Sequence, residues 1–452
     1  MKRIHSLVAA IALALIVSAL PGAPRPAHAA APPQLGGCTI LPPDNVWNTP
    51  IDTLPVDSNS TAYINNINLD ATTLHPDFGS FQYGYFGIPY NIVPNGQPKV
   101  AITFDYANES DPGPYPIPTV NLKIEGGSDR HILVLEQGTC KLYETWNSRS
   151  NGNGTWRAGS GAIFDLNSNA LRTNSWTSAD AAGLPILPGL ARYEEVAAGA
   201  IDHALRFTVN CSAPTYIWPA RHQAVPDYCP NTPPAGTLPP PMGQRFRLKA
   251  NFDISAFAPQ TKVILTALKK YGMIVADNGT SWYISGTPDA GWIDDDLVGD
   301  LRQVHGTDFE AVDESGLQVN PDSGQVKPSA IDSKSVSPGG ANQGQQVAYT
   351  IQLVGDGSAI TLSDPLPAPL SYVTGSLVTT GGAQASYNSG TIAWSGTPAP
   401  LTIVKITYAA TLNTGATQAV SNIASVNRGT QKNLTAVLIA NPHQTFLPLA
   451  RK

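Results

Sequence analysis

The 452-residue chain has few charged side chains: Asp, Glu, Lys and Arg make up 13% of it, against about 25% in ordinary soluble domains. The net charge of −6 gives no general basic surface, so we do not expect a nucleic-acid-binding protein. Glycine and proline number 40 each, and 42% of the residues are hydrophobic. Many turns, ample apolar content and few charges are typical of an extracellular β-rich protein.

Long apolar segments are also missing beyond the first 29 residues. No later segment has the roughly 18 consecutive apolar residues that span a bilayer, so we predict no membrane span in the mature chain. Residues 1–29 begin with two basic residues, continue with an apolar run over 7–20 and end with small residues, which is the pattern of a secretory signal peptide. The protein is therefore predicted to be secreted or extracellular, with association with the cell surface left open.

The chain has only four cysteines, and all of them precede residue 230: Cys38, Cys140, Cys211 and Cys229. An even number of cysteines in an exported chain predicts two disulfides. We favour Cys211 with Cys229 because they flank one loop, which leaves Cys38 with Cys140. The sequence has no C-x-x-C or H-x-x-x-H spacing to support zinc, and neither a metal nor a cofactor is predicted.

The composition changes near residue 314 and divides the chain. We predict a large β-rich, carbohydrate-active domain over 36–313, a polar linker over 314–331, a small domain over 332–440 and a tail over 441–452 that lacks a sortase signal. The predicted fold class is mainly β. It comprises a large, jelly-roll-like β-sandwich with one or two packed helices, followed by a small immunoglobulin-like β-sandwich.

One predicted hairpin contains a carboxylate of interest, Glu144. A three-residue loop would pair Glu136 with Cys140 and set Glu144 beside Ile132. In that register Glu144 and His131 lie on opposite faces of the hairpin, but a shift of one residue would place them on the same face.

Other local signals occur later in the large domain. Asn278 and Gly279 predict a tight turn that joins strands at 273–277 and 282–284. Apolar residues at helical spacing predict an amphipathic helix over 259–271, and a second helix is expected over 295–304. Three aspartates, 294–296, stand at the start of the second helix. We interpret them as stabilising the positive end of the helix dipole, and a calcium site is the alternative.

Segments of the small domain carry a family resemblance, at 336–339, 344–351, 364–367, 372–376 and 422–426. They resemble the immunoglobulin-like repeat of bacterial surface proteins known as domain of unknown function eleven. The usual Asn-x-Gly turn after Ile351 is replaced by Gly355-Asp356-Gly357. The resemblance implies a spacer or adhesion module without catalytic residues.

The large domain has a resemblance of its own, at 176–186, 201–207 and 218–222. These segments resemble a group of uncharacterised secreted bacterial proteins. The resemblance supplies neither an activity nor catalytic residues to carry over to this chain.

Candidate site residues concentrate between 201 and 249, where cationic, imidazole and aromatic groups are dense. Strands are expected at 201–209 and 216–222, with Pro219 favouring an edge or a loop for the second. His203 is interpreted either as a general base in a desolvated cleft or as a core histidine. Aromatic rings and Arg side chains there are expected to hold sugar and carboxylate groups. The predicted substrate-binding residues are Arg206, Tyr216, Trp218, Arg221, Arg245 and Arg247.

The function predicted from these residues is action on an extracellular polysaccharide, by glycosidic bond cleavage. In a lyase, a His or Tyr removes a proton beside a uronate that Arg residues neutralise. In a hydrolase, two carboxylates act as the acid and the base or nucleophile. Glu144 and Asp202 are the first choices for that pair, and Asp180, Glu194 and Glu195 are further candidates. The predicted catalytic residues are His203, His222, Tyr143, Glu144 and Asp202.

The alternative class is a non-catalytic glycan-binding or cell-surface structural or adhesion protein. A peptidase is disfavoured because the G-x-S-x-G and H-E-x-x-H motifs are missing from the sequence. The sequence leaves the oligomeric state open.

Overall fold

The computed structural model describes residues 32–442, apart from 83, 85, 128, 225–228, 231 and 401. The predicted signal peptide and all but the first two residues of the predicted tail lie outside the described residues. The fold is mainly β, as predicted, with several sheets and a few short helices. We call residues 32–331 the large part and residues 332–442 the small sandwich, because their buried hydrophobic residues form separate clusters.

The large part is built from short strands. They are β1 (Gln34–Leu35), β2 (Cys38–Thr39), β3 (His75–Asp77), β4 (Tyr90–Val93), β5 (Ile102–Phe104), β6 (Ile132–Glu136), β7 (Lys141–Trp146), β8 (Arg149–Ser150), β9 (Trp156–Ala158), β10 (Ser160–Asp165), β11 (Leu205–Val209), β12 (Arg245–Leu248), β13 (Met273–Asn278), β14 (Tyr283–Ser285) and β15 (Phe309–Ala311). The α-helices are α1 (Ser60–Ile67), α2 (Tyr193–Ala198), α3 (Pro259–Lys270) and α4 (Asp294–Leu301). Short 3₁₀ turns occur at Val46–Asn48, Ala107–Glu109, Leu187–Gly189, Gly306–Asp308 and Pro328–Ile331.

A six-stranded sheet forms the centre of the large part, in the order β15-β12-β13-β11-β14-β3. Its strands are short, and aromatic rings from three of them pack around Trp282: Phe207, Phe246 and Phe309 lie with ring centroids 5.4 to 6.1 Å from it. The pairs β11 with β13 and β14 with β3 are parallel. These parallel pairs distinguish the sheet from an all-antiparallel jelly roll.

The predicted helix over 259–271 is confirmed as α3. It begins at Pro259, whose missing N–H is tolerated in the first turn, and Gly272 follows it with a φ of +66°. Ile264 and Leu268 are fully buried, as the helical spacing predicts. The second predicted helix is α4, which begins at Asp294 and is shorter than expected.

A four-stranded sheet in the order β10-β7-β6-β4 contains the predicted hairpin, but the register differs by one residue. Glu136 pairs with Lys141 and Glu144 pairs with Leu133. The connection is one residue longer than predicted because Cys140 adopts a φ of +51° and belongs to the turn. Since side chains alternate along a strand, Glu144 and His131 therefore lie on the same face, and the predicted separation is wrong.

The hairpin predicted from Asn278 and Gly279 is also wrong. β13 and β14 do not pair, because β11 lies between them and pairs with both. A strand from more than 60 residues earlier has displaced the local pairing. Turn chemistry alone does not reveal such an insertion.

The small sandwich consists of β16 (Ser333–Ser337), β17 (Gly340–Ala341), β18 (Gln346–Val354), β19 (Ile360–Pro365), β20 (Leu370–Tyr372), β21 (Val378–Thr380), β22 (Ser386–Asn388), β23 (Thr391–Gly396), β24 (Ile403–Leu412), β25 (Gln418–Asn427) and β26 (Gln431–Ala440). One sheet contains β16, β18, β24, β20 and β21, and the other has the order β17-β26-β25-β19-β23-β22. Burial alternates along β18, where Tyr349, Ile351 and Leu353 face the core. The predicted immunoglobulin-like sandwich is confirmed.

Residues 314–331 do not have the exposed character expected of a linker. Leu317 and Val326 are buried in the core of the large part. Glu314 is buried and bonds Arg245 at 2.8 Å. Only after the 3₁₀ turn at Pro328–Ile331 does the chain enter the small sandwich.

Both predicted disulfides are confirmed. Cys38 pairs with Cys140 and Cys211 pairs with Cys229, with Cα atoms 5.5 and 5.6 Å apart. Both lie in the large part.

Candidate functional site

A cavity of about 400 Å³ opens on the surface of the large part. Segments far apart in sequence meet there, including the ends of β7 and β13 and the segment 177–181. We call it the acidic cleft because four residues with carboxyl side chains line it. It is lined by Tyr106, Glu109, Asp129, Trp146, Ser160, Thr177, Ser178, Ala179, Asp180, Ala181, His222, Ala224, Asp277 and Asn278.

Two aromatic rings form one side of the acidic cleft. Tyr106 is 51% exposed, and its ring centroid is 6.4 Å from that of Trp146, the last residue of β7. Gly159 lets Trp146 take this position, because a Cβ at residue 159 would lie 2.2 Å from the indole ring. The indole Nε1 donates to Asp129 Oδ1 at 3.3 Å. The cleft therefore offers a ring surface bordered by a carboxylate.

The buried wall of the cleft is organised by Arg206. Its Nε and Nη2 donate to the two carboxylate oxygens of Asp180 at 2.9 and 2.6 Å, and Nη1 donates to Ser285. Asp180 is 1% exposed, so this two-point ion pair is well shielded from water. The cation is thus neutralised within the wall, and its guanidinium is not free for a ligand.

Asp277 is the second carboxyl of this wall. Its Oδ2 lies 3.9 Å from Arg206 Nη2, and 29% of the side chain is exposed. Burial, together with the charge of Asp180, raises the pKa of Asp277 well above its usual range. Asp277 therefore keeps its proton to a higher pH than an ordinary aspartate does.

Further ionisable groups lie around Arg206. Burial raises the pKa of Glu125 to about 7, and burial next to the Arg206 cation lowers the pKa of His131 to about 4. The backbone N–H of His131 donates to Glu125 Oε2 at 3.1 Å. His131 is consequently neutral, and Glu125 titrates in the physiological range.

Glu144 is fully buried in β7, and its carboxylate accepts hydrogen bonds from backbone N–H groups. Ile186 N lies 2.8 Å from Oε2, and Leu187 N lies 2.9 Å from Oε1. Burial nevertheless raises the pKa of Glu144 to about 8. The residue anchors the segment after the cleft wall and does not line the cavity.

Among the predicted catalytic residues, His222 lines the acidic cleft. Its Nδ1 lies 2.8 Å from the carbonyl oxygen of Ala181, and its Nε2 lies 3.6 Å from Glu109 Oε2. The carbonyl contact assigns the proton to Nδ1, which leaves Nε2 facing the carboxylate.

The other predicted catalytic residues lie elsewhere. His203 precedes β11 and is 1% exposed, with Nε2 3.1 Å from Glu195 and Nδ1 2.7 Å from its neighbour's carbonyl. Its environment matches the core-histidine interpretation. Tyr143 is buried and contacts Lys99 at 2.6 Å, and Asp202 contacts Tyr271 at 3.4 Å. The structure does not bring these residues together with His222.

Three arginines predicted to bind substrate have structural partners instead. Arg245 is fully buried and donates to carbonyl oxygens of Val46, Thr49 and Tyr271 as well as to Glu314. Arg247 bonds Glu310 and two carbonyl oxygens. Arg221 bonds Arg172 O, Pro321 O and Asp322. Guanidiniums satisfy several buried carbonyls at once, so they are used here to tie loops together.

The predicted aromatic platform is not formed as expected. Residues 216–222 form no strand; Tyr216 makes a single bridge to Met242. Trp218 donates to Ser323 O at 2.8 Å, and the Tyr216 hydroxyl bonds Asn174. These rings are directed toward neighbouring loops and do not line the acidic cleft.

Sequence reasoning missed most of the cleft. Tyr106, Asp129, Trp146 and Asp277 carry no motif, because each stands near the end of a different strand or in a loop. One signal in the sequence could have indicated Trp146: it lies at the end of the second strand of the predicted hairpin and precedes a turn. Asp180 was among the candidate carboxylates for a hydrolase, but the sequence did not indicate that it pairs with Arg206.

No group of three or more His, Cys, Asp or Glu side chains is arranged to hold a metal ion within the part of the chain that the structure describes. Asp294, considered for calcium, accepts hydrogen bonds from Ser80 N and Oγ at 2.7 and 3.0 Å. Across the same described residues, no helix is long and apolar enough to cross a bilayer.

Comparison with known proteins gives limited matches. No family model matches the sequence, and no curated protein does. The major pilin subunit BcpA of Bacillus cereus matches at 9% identity over 25% of this chain and 40% of its own length, with a TM-score of 0.21. A collagen adhesin of S. aureus matches at 10% identity over 29% of this chain and 61% of its own length, with a TM-score of 0.20.

Domains D2 and D3 of the major pilin SpaD from Corynebacterium diphtheriae match at 17% identity over 24% of this chain and 49% of their length, with a TM-score of 0.18. The chain thus spans about half the length of these three structures. These similarities say nothing about the ligand of the acidic cleft.

Proposed function

We propose that the protein is an exported glycan-binding protein of the bacterial surface or its surroundings. In this proposal the acidic cleft holds a saccharide and the small sandwich acts as a spacer. The observation that carries the proposal is one cavity that combines the exposed ring of Tyr106 and the partly buried ring of Trp146 with the carboxyl groups of Asp129 and Asp277. The predicted signal peptide and the two disulfides support an extracellular location.

The chemistry of the cleft suits a sugar ring. Aromatic faces pack against sugar C–H groups, while carboxylates accept hydrogen bonds from hydroxyls. A cavity of this size accommodates one or two sugar units.

The same lining disfavours an acidic sugar. Glu109 and Asp129 bring negative charge to the cavity, and Arg206 is already neutralised by Asp180. A uronate carboxylate would meet like charge, which opposes binding. We therefore propose a neutral or amino sugar, and the uronate lyase version of the function loses its basis in the cleft.

A second candidate function is glycoside hydrolysis at the same cleft. The raised pKa of Asp277 favours it, because a general acid needs a carboxyl group that keeps its proton to a higher pH than an ordinary aspartate does. Asp129 or Glu109 would then activate water on the other side of the bond. Binding remains the main proposal because it needs only the ring surface and the hydroxyl acceptors.

The test of binding uses Tyr106→Ala in the mature protein, titrated with neutral, N-acetylated and uronic oligosaccharides. We expect the wild type to bind a neutral or amino sugar and Tyr106→Ala to bind it about tenfold more weakly, since the lost contact is worth roughly 1.4 kcal/mol. Phe86→Ala is the matched control, because Phe86 is 50% exposed and lies outside the cleft. Equal affinity of Tyr106→Ala and wild type would refute the proposed site.

The test of cleavage uses Asp277→Asn, which keeps the size of the side chain but removes its acidic proton. If the protein is a hydrolase, wild type releases reducing ends and Asp277→Asn loses at least a hundredfold in rate while still binding sugar. Binding without any release of reducing ends by the wild type leaves the binding function and removes the hydrolase.

A further inference from the structure

The small sandwich encloses a polar cluster between its two sheets. It consists of Lys334 on β16, Asp364 on β19, Tyr408 on β24 and Asn422 on β25. The side chains of Lys334 and Asp364 are 0% exposed, and Asn422 is also fully buried. An ion pair is expensive to bury, and nothing in the saccharide-binding proposal uses it.

Short contacts connect the members of the cluster in series. Lys334 Nζ bonds Asp364 Oδ1, and the Tyr408 hydroxyl donates to Asp364 Oδ2 at 2.7 Å. Asn422 Nδ2 in turn donates to the Tyr408 hydroxyl oxygen at 2.7 Å. The amine and the amide are thus held on either side of one carboxyl group and one hydroxyl group.

The amine has the character of a nucleophile. Burial lowers the pKa of Lys334 to about 8, although Asp364 opposes that shift. A substantial fraction of the side chain is therefore the neutral amine at physiological pH, as in enzymes that use a desolvated lysine. The Lys334 nitrogen also lies 5.4 Å from the centre of the Tyr349 ring, so water is excluded around it.

The amide has the matching unsatisfied atom. Asn422 Oδ1 is buried and has no hydrogen-bond partner among the described residues. An unpaired buried amide oxygen is unfavourable by about 1 to 3 kcal/mol. A hydrogen-bond donor brought to that oxygen would satisfy it and polarise the carbonyl carbon.

We propose that Lys334 and Asn422 form an intramolecular isopeptide bond, with Asp364 transferring the proton. The neutral Lys334 Nζ attacks Asn422 Cγ, a carbon–nitrogen bond forms, and the bond between Cγ and Nδ2 breaks. Asp364 takes a proton from Nζ and delivers it to the departing nitrogen, which leaves as ammonia. The product is a secondary amide, and the step needs no oxidant or cofactor.

The bond would join the first strand of the small sandwich to its penultimate strand, across the two sheets. A pulling force applied at the two ends of the sandwich would then pass through the crosslink and would not unfold the strands between them. The sandwich has no cysteine with which to make a disulfide. An amide crosslink would serve that purpose and would also resist reducing agents.

Mass spectrometry of the full mature protein tests the proposal. We expect the reduced wild type to be lighter than its sequence by one ammonia, about 17 Da, and a proteolytic digest to contain a peptide that joins Lys334 to Asn422. Asn422→Ala and Asp364→Asn should have the full sequence mass. Asn433→Ala is the matched control, since Asn433 lies exposed on the neighbouring strand β26 and should keep the mass loss.

A variant that fails to fold would also lack the bond, so Lys334→Arg is included. Its guanidinium can pair with Asp364 but cannot attack the amide, and its intact disulfides and calorimetric transition report folding independently. A wild type with the full sequence mass, or a mass loss that persists in Asn422→Ala, overturns the proposal and leaves a noncovalent ion pair.

Discussion

The two parts of the molecule hold their distant strands together in different ways. The large part contains both disulfides, of which Cys38–Cys140 spans 102 residues. The small sandwich has no cysteine and instead buries Lys334 against Asp364. A disulfide adds stability without leaving a charge in the core, whereas a buried ion pair pays for desolvation and leaves reactive groups in contact.

Burial changes the pKa values of ionisable groups in both parts, but the exposure of these groups to solvent differs. In the acidic cleft, Asp277 is 29% exposed, so a ligand can contact its carboxyl group. In the small sandwich the side chains of Lys334 and Asp364 have no exposure, so they can act only on each other and on neighbours. The same physical effect thus supports recognition in one part and internal chemistry in the other.

The largest expected effect comes from Asp364→Ala. Removing the carboxylate leaves Lys334 buried without its partner and also prevents the proposed crosslink, so we expect the small sandwich to lose more than about 5 kcal/mol of stability. Calorimetry of the full chain should show its transition shifted down by tens of degrees, with that of the large part unchanged. A shift of only a few degrees would mean that the cluster contributes little to stability.

The double substitution Cys38→Ala and Cys140→Ala should affect only the large part. For a loop of this length the chain-entropy argument gives a loss of about 5 kcal/mol, and about 3 kcal/mol for the pair Cys211 and Cys229, whose loop is shorter. The two double variants and a reduced wild type can be compared by calorimetry. Destabilisation of the small sandwich by any of them contradicts the division into separate cores.

Glu144→Gln should change the pH dependence of the large part. The pKa of Glu144 is raised to about 8 in the folded state, so its favourable contribution is complete below about pH 4.5 and is lost as pH rises through 8. Glutamine never ionises, and its oxygen can accept from both Ile186 and Leu187.

We therefore expect the variant to be more stable than wild type by about 5 kcal/mol above pH 8 and similar to it near pH 4. Denaturant unfolding across this pH range measures the difference. Parallel curves for the two proteins would show that Glu144 does not titrate as described.

The smallest effect is expected for Asp322→Ala. Asp322 pairs with Arg221, but its side chain is 75% exposed, and Arg221 keeps two carbonyl acceptors. The loss should be below about 1 kcal/mol. Asp180→Ala is the informative partner variant, because it strips the buried Arg206 of its two-point ion pair and should cost several times more in the same denaturant assay.

Several elements of the fold follow from the sequence for local reasons. Helix α3 has its starting proline, its buried stripe and its terminating glycine within one segment. The strands of the small sandwich alternate buried and exposed residues, as in β18. The disulfide pairing followed from the position of two cysteines around one loop.

The predictions of strand pairing were wrong where the tertiary structure, and not the local sequence, decides which residues pair. β11 lies between β13 and β14, which local turn residues predicted to be neighbours. The register of the first hairpin depended on whether Cys140 belonged to the strand or the turn, and a single residue moved Glu144 to the face of His131. Neither choice leaves a local signature.

The sequence by itself determined the mainly β class, the small immunoglobulin-like sandwich, the disulfide pairing and the low charge that makes each buried ion pair conspicuous. Only the tertiary structure decided which polar residues serve a ligand. Arg245 and Arg247 alternate with apolar residues as a solvated face would, yet they bond buried carbonyls. The physical reason is that the free energy of a charged side chain depends on burial and partners, which are set by segments hundreds of residues away, whereas helix ends and strand alternation are set within a few residues.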